Sequence, residues 1–197
     1  MGNREDLLAG ARRVIADRGV AKATARDIAN EAGVSLAAIG YHFGSKDRLI
    51  TEALVEALGT GIGEDIEALM LEGRGGTLLD GFAATWNAMP AVFAANREAL
   101  LAGLENSVRV LRDPEAGRHL SEASAEGYRG MADNLRVAYP DLDDEQVDAV
   151  AKLYFALVQS LGILWLLSPD RGVPTGDELA VAVAAIAGSG GPGATAG

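Results

Sequence analysis

Apolar residues recur at three- and four-residue intervals along nearly the whole chain, and nowhere does a sustained period-two alternation appear. The pattern predicts helices and no strand. A first helix is expected from a cap at Asn3 to about Arg18, with Leu8, Ala11 and Ile15 on its buried side and Gly19 as its stop. Thr24 then caps a helix starting at Ala25, whose stripe is Ile28, Ala29 and Ala32, and Asp27 is placed to reach back to the Thr24 amide. Gly33 supplies a left-handed turn, and Ser35 caps a third helix that stops near Phe43, ahead of Gly44. Two short helices around a glycine turn make a helix-turn-helix.

On a helical wheel the third helix turns Ile39 and Phe43 inward, with Leu36 leaning the same way one turn earlier. Ala37 and Tyr41 point the other way, flanked by Ala38, Gly40 and His42. This outer face is small and nearly uncharged, which suits close approach to base edges in a major groove. Tyr41, His42 and Lys46 are then the candidates for holding the nucleic-acid backbone.

Ser45 caps a long fourth helix whose apolar stripe runs through Leu49, Ile50, Ala53, Leu54, Ala57 and Leu58 until Gly59, Gly61 and Gly63 weaken or bend it. After Gly73, Gly75 and Gly76, Thr77 opens a helix expected to reach Arg112 with a kink at Pro90. Asp113-Pro114 starts another, ending near Val137 ahead of Tyr139-Pro140. Asp143, with Gln146 in the capping-box position, opens a helix to about Leu167, stopped by Ser168-Pro169. Thr175 and Glu178 open the last, 177–187, and residues 188–197 read as a flexible tail. The expectation is an all-α protein of about nine helices in two parts: 1–50, with a reading segment at 24–46, and 51–187.

The net charge of -11 disfavours a nucleic-acid partner until its distribution is considered. Residues 1–50 hold eight Lys/Arg against six Asp/Glu, whereas the rest hold nine against twenty-two. The acidity therefore belongs to the second part and confines any DNA contact to the first. There is no cysteine, hence no disulfide, thiolate metal site or cysteine nucleophile. The histidines are His42, in the reading segment, and His119, whose H-x-S-E spacing with Ser121 and Glu122 reads as a solvated helix face. No phosphate loop or nucleophile elbow occurs, so neither an enzyme nor a cofactor is expected. No charged and then apolar leader opens the sequence, and the longest apolar run, 153–167, is interrupted by Gln159 and Ser160 and is short for a membrane span. A cytoplasmic protein without membrane contact follows as the expectation.

Thr24, Asp27-Ile28-Ala29, Ala32-Gly33-Val34-Ser35, Tyr41-His42-Phe43 and Ser45-Lys46 with Leu49 together resemble the signature of the tetracycline-repressor (TetR) family of transcription regulators. The resemblance covers about the first fifty residues. It implies a DNA surface made of Thr24, Ala25 and Arg26, the positions from Leu36 to His42 including Ala37, Ala38 and Tyr41, and Lys46. The chain departs from the family at Gly40, where a phosphate-contacting tyrosine is common, and Tyr41 is its natural substitute. The same resemblance implies a homodimer on a double-stranded DNA operator and a small apolar effector. The effector would be lined by some of Phe82, Trp86, Met89, Phe93, Tyr128, Met131 and Trp165, with Asn106, Tyr128 or Gln159 as polar contacts. The helix at 144–167 is apolar almost all round after Lys152, so part of it should face the chain's own core and part a second subunit. A helical ligand-binding or interaction protein whose N-terminal unit no longer reads DNA is the alternative that these residues leave open.

Overall fold

The computed structural model describes residues 3–112, 114–168 and 172–189. The caps or stops expected at Asp113 and Pro169, the His119 side chain and all but the first two residues of the tail expected at 188–197 lie outside the described residues, and Gly188 is still helical. Among those described there is no strand. The helices are α1 (Asn3–Arg18), α2 (Ala25–Ala32), α3 (Leu36–Phe43), α4 (Lys46–Leu58), α5 (Glu64–Gly73), α6 (Leu78–Ala95), α7 (Arg97–Val110), α8 (Pro114–Ala138), α9 (Asp144–Leu167) and α10 (Gly176–Gly188). Between α4 and α5 the chain stays helical through a π turn at Gly59–Gly63, so the pair counts as one continuous helix and the total among the described residues as nine. The all-α expectation holds.

Most caps form as the sequence implies. Asp143 with Gln146 and Thr175 with Glu178 make reciprocal capping boxes, and Ser45 accepts from the Arg48 amide. Thr77 and Asp80 exchange the same pair of bonds, the Asp80 carboxylate accepting from the Thr77 amide at 3.1 Å. Removing the Asp143 cap by Asp143→Ala should cost about 1 kcal/mol. A calorimetric midpoint lower by roughly 2–4 °C would register it, and an unshifted midpoint would show that packing alone sets the start of α9.

Four local expectations are corrected or refined. Asn3 lies inside α1 and not before it. Ser35 has the extended backbone of an N-cap but makes no side-chain cap bond. Asp27 reaches back to Thr24 chiefly through the side chain rather than the amide, its carboxylate accepting from the Thr24 hydroxyl at 2.6 Å. The helix expected to run from Thr77 to Arg112 passes through Pro90 and breaks six residues later at Asn96, which leaves helical geometry (φ -110°, ψ 21°). At this break the Asn96 carboxamide lies where a Cβ on Gly61 would sit, so position 61 has room for glycine alone.

The chain separates into two compact units, Met1–Glu64 with Asn96–Arg129 and Asp65–Ala95 with Gly130–Gly197. In the first, α1 lies against α2 and α4, and α7 packs on α4. Its core joins Leu7, Leu8 and Ile15 of α1, Ile28 of α2, Ile39 and Phe43 of α3 and Leu49, Ile50 and Leu54 of α4. In the second, α6 packs against α10 and α9. Phe82, Trp86, Met89 and Phe93 of α6 are buried there, as is Tyr154 of α9. The first unit thus takes in α7 and most of α8 as well as the reading segment, which a division of the sequence at residue 50 does not anticipate.

Candidate nucleic-acid interface

Local chemistry positions the reading segment. Gly33 adopts φ 69°, ψ 25°, a left-handed backbone that a Cβ would strain, and there α2 turns into α3. Ile39 and Phe43 anchor α3 in the core. Ala38 is in the core with them, 8% exposed, and so does not flank the outer face as the wheel suggested. Leu36 is the opposite case: at 51% exposed it belongs to the outward surface rather than to the inward stripe. Eight residues make little more than two turns, and the angle at which α3 meets α1 and α4 decides which borderline positions are covered. Ala37 and Gly40 are exposed, and Tyr41 projects furthest at 86% exposure, its ring edge-on to His42 with centroids 4.9 Å apart.

Two helix starts meet beside this face. The Lys46 ammonium, in the first turn of α4, donates to the carbonyl of Ala23 at 3.3 Å, just ahead of the Thr24 cap of α2. Each start presents free backbone N–H groups and the positive end of a helix dipole. Thr24 and Arg26 are exposed and Ala25 is partly buried against the core. Among the eight basic residues of the first fifty, six are ion-paired: Arg4 and Arg48 to Glu52, Arg12 to Glu56, Arg13 to Glu31, Arg18 to Asp17 and Asp27, and Lys46 to Asp47. Lys22 and Arg26, on either side of Thr24, have no acidic partner among the described residues. The Thr24 hydroxyl, and after it Arg18, holds the Asp27 carboxyl below its ordinary range. Its contribution to stability is therefore present above that range and disappears as pH falls through the lowered native value.

The sequence did not point to a network behind α4. Arg109 of α7 ion-pairs with Asp47 Oδ1 at 3.1 Å and donates to the Asp47 carbonyl at 3.1 Å, to Thr51 Oγ1 at 2.9 Å and to Asn106 Oδ1 at 2.6 Å. Asn106, expected among the effector contacts, is buried in this network beside Thr51. Nothing local in the sequence announces such a network, because its two halves, Asp47 with Thr51 and Asn106 with Arg109, are more than fifty residues apart.

The other candidate effector residues are divided between the two units. Tyr128 belongs to the first unit, and Phe82, Trp86, Met89, Phe93, Met131, Gln159 and Trp165 belong to the second. Phe82 meets Tyr154 edge to face and Trp86 meets it at a tilt, at centroid distances of 5.4 and 5.3 Å, and Phe93 meets Trp165 at 6.3 Å. Gln159 is exposed. Tyr154, absent from the expected set, lies on the buried stripe Val147, Ala151, Tyr154, Leu161, and that helical spacing was the signal that could have found it. Burial pushes its phenol well above the ordinary tyrosine range. Trp86 Nε1 and the Tyr139 hydroxyl are buried without a hydrogen-bond partner.

An exposed, small-faced second helix, two converging helix starts and unpaired cations define a helix-turn-helix domain of the DNA-binding type. Residues 7–60 match the family model described as bacterial regulatory proteins, tetR family, the family that the first fifty residues resemble. The chain is 32% identical over 97 residues to the helix-turn-helix-type transcriptional repressor KstR2 of Mycolicibacterium smegmatis, a match spanning 49% of this chain but only 42% of that protein. The fold extends further than the sequence match. The multidrug binding protein EbrR, in complex with imidazole, superposes with a TM-score of 0.67 at 24% identity over 94% of both chains. Thermus thermophilus FadR, a TetR-family repressor in complex with lauroyl-CoA, superposes with a TM-score of 0.65 at 18% identity over 98% of both.

Proposed function

We propose that this protein is a ligand-responsive transcription regulator, a repressor, that binds an inverted-repeat operator in double-stranded DNA as a homodimer. The observation that carries the reading is the surface around α3: Ala37, Gly40 and Tyr41 outward, Thr24 and Lys46 at two adjoining helix starts, and Lys22 and Arg26 unpaired beside them. Alanine and glycine let the helix approach base edges, and Tyr41, His42, Lys46 and the amide ends near Ala25 hold phosphates. Two such helices about one DNA turn apart read successive major grooves.

Dimer formation is supported by α9, whose second stripe of Leu153, Leu164 and Leu167 is exposed, together with Val181 and Ile186 of α10. By length and composition alone the whole of α9 is long and apolar enough to cross a membrane, whereas the run 153–167 by itself is short of a span. Its Tyr154 stripe is nevertheless occupied by α6. That favours a second copy over lipid as the cover for the remaining stripe and a cytoplasmic location. The unpartnered Trp86 and Tyr139 donors support an effector with few polar atoms, at least one of them a hydrogen-bond acceptor. Such a ligand releases DNA only by binding one spacing of the reading heads better than another.

The test is selection of bound duplexes from a random pool, followed by anisotropy titration of the enriched site and of unrelated DNA at several salt concentrations. A selected inverted repeat, bound more tightly than unrelated DNA and more weakly as salt rises, is the expected result. Lys46→Ala should then weaken all sequences alike and flatten the salt slope by about 0.9. No enrichment, with equal or negligible binding to both DNAs, would make the chain a ligand-binding or interaction protein instead.

A further inference from the structure

We infer that Arg109 is a positioning residue for DNA binding: by holding the Asp47 carboxylate, it leaves Lys46 free for a phosphate. The inference rests on the DNA-binding reading above. Asp47 stands in the first turn of α4, one residue after Lys46, where a carboxylate favours the helix dipole but opposes an approaching phosphate. Two cations share it. Arg109 Nη1 lies 3.1 Å from Asp47 Oδ1, and Lys46 Nζ lies 3.7 Å from the same oxygen.

The two cations are held differently. Arg109 is fixed by further bonds to the Asp47 carbonyl, Thr51 and Asn106, so its planar fork is committed before any ligand arrives. Lys46 has a flexible stem, a longer ion pair and one bond to the Ala23 carbonyl. When a phosphate reaches the start of α4, Lys46 can turn to it without stranding Asp47, since Arg109 continues to neutralise the carboxylate. Without Arg109, Asp47 would retain Lys46 and also repel the phosphate.

The experiment compares the full chain with Arg109→Met, Asp47→Asn, the double variant and Arg109→Lys, by anisotropy on the selected site across salt concentrations and by thermal melting. Arg109→Met should bind roughly tenfold more weakly at low salt, with a slope shallower by about 0.9 because one phosphate contact is lost. Asp47→Asn in the Arg109→Met background should restore affinity to within about twofold of Asp47→Asn alone, because the charge that occupied Lys46 is gone. Arg109→Lys keeps a cation at Asp47 without the fork; it should melt lower but bind DNA close to wild type. A purely structural Arg109 would give the reverse, with Arg109→Lys losing both properties and no rescue in the double variant, and either result would overturn the inference. Failure of the wild-type protein to select any DNA is seen before a variant is compared and marks the failure of the underlying reading.

Discussion

Gly176→Ala should lower the melting midpoint by roughly 6–12 °C, the size expected when an unyielding overpacking of up to about 3 kcal/mol is imposed on a chain of this length. Gly176 is the first residue of α10, and a Cβ there would collide with the Ala83 carbonyl and come within 2.6 Å of the Asn87 amide nitrogen. Both are backbone atoms of α6, so no rotamer change relieves the clash and α10 must lift away. Helix α6 also holds Gly176 by hydrogen bonds: the Gly176 amide donates to Asn87 Oδ1 at 2.8 Å, and Asn87 Nδ2 donates to Asp177 at 3.2 Å. Gly176 does not have a positive φ, so the effect is steric rather than conformational. Gly188→Ala, at the far end of α10 where a Cβ meets nothing, is the control and should melt like wild type or slightly higher. Equal melting of the two variants would show that α10 does not depend on this close approach.

Phe43→Ala should cost about 3–5 kcal/mol, a large share of the stability of an ordinary domain, and abolish selective DNA binding. The ring is 2% exposed in the core of the first unit, with the Arg4 guanidinium 5.3 Å from its centroid. It faces away from the proposed DNA surface, so its loss acts by releasing the end of α3. Tyr41→Ala provides the contrast, because that side chain is exposed two residues earlier. Stability should change by no more than about 0.5 kcal/mol, while affinity for the selected site falls. Chemical denaturation and DNA titration of both variants separate the roles, and a Phe43→Ala protein as stable as wild type would contradict the packing of α3 described above.

Much of the fold was legible because its signals are local. The caps at Thr24, Ser45, Thr77, Asp143 and Thr175 each satisfy amides within a few residues, and Gly33 needs only its own backbone. The three- and four-residue apolar spacing fixes helix type for the same reason. The candidate site was legible in part: Ala37, Tyr41 and Lys46 stand where the pattern put them, whereas Ala38 and Leu36 exchange places between core and surface. A wheel gives angles around one helix but not the tilt at which that helix meets its neighbours.

The sequence by itself determined the all-helical architecture, the helix-turn-helix and the concentration of acidic charge outside it, since each depends on neighbouring residues or on composition. Only the tertiary structure decided the approach of Asn96 to Gly61, the clasp of Asn87 on α10, the ring contacts of Tyr154 with α6 and the hold of Arg109 on Asp47. These join atoms that meet only once the helices have packed. Their energy depends on distances of a few tenths of an ångström between residues far apart in the chain, which no periodicity encodes.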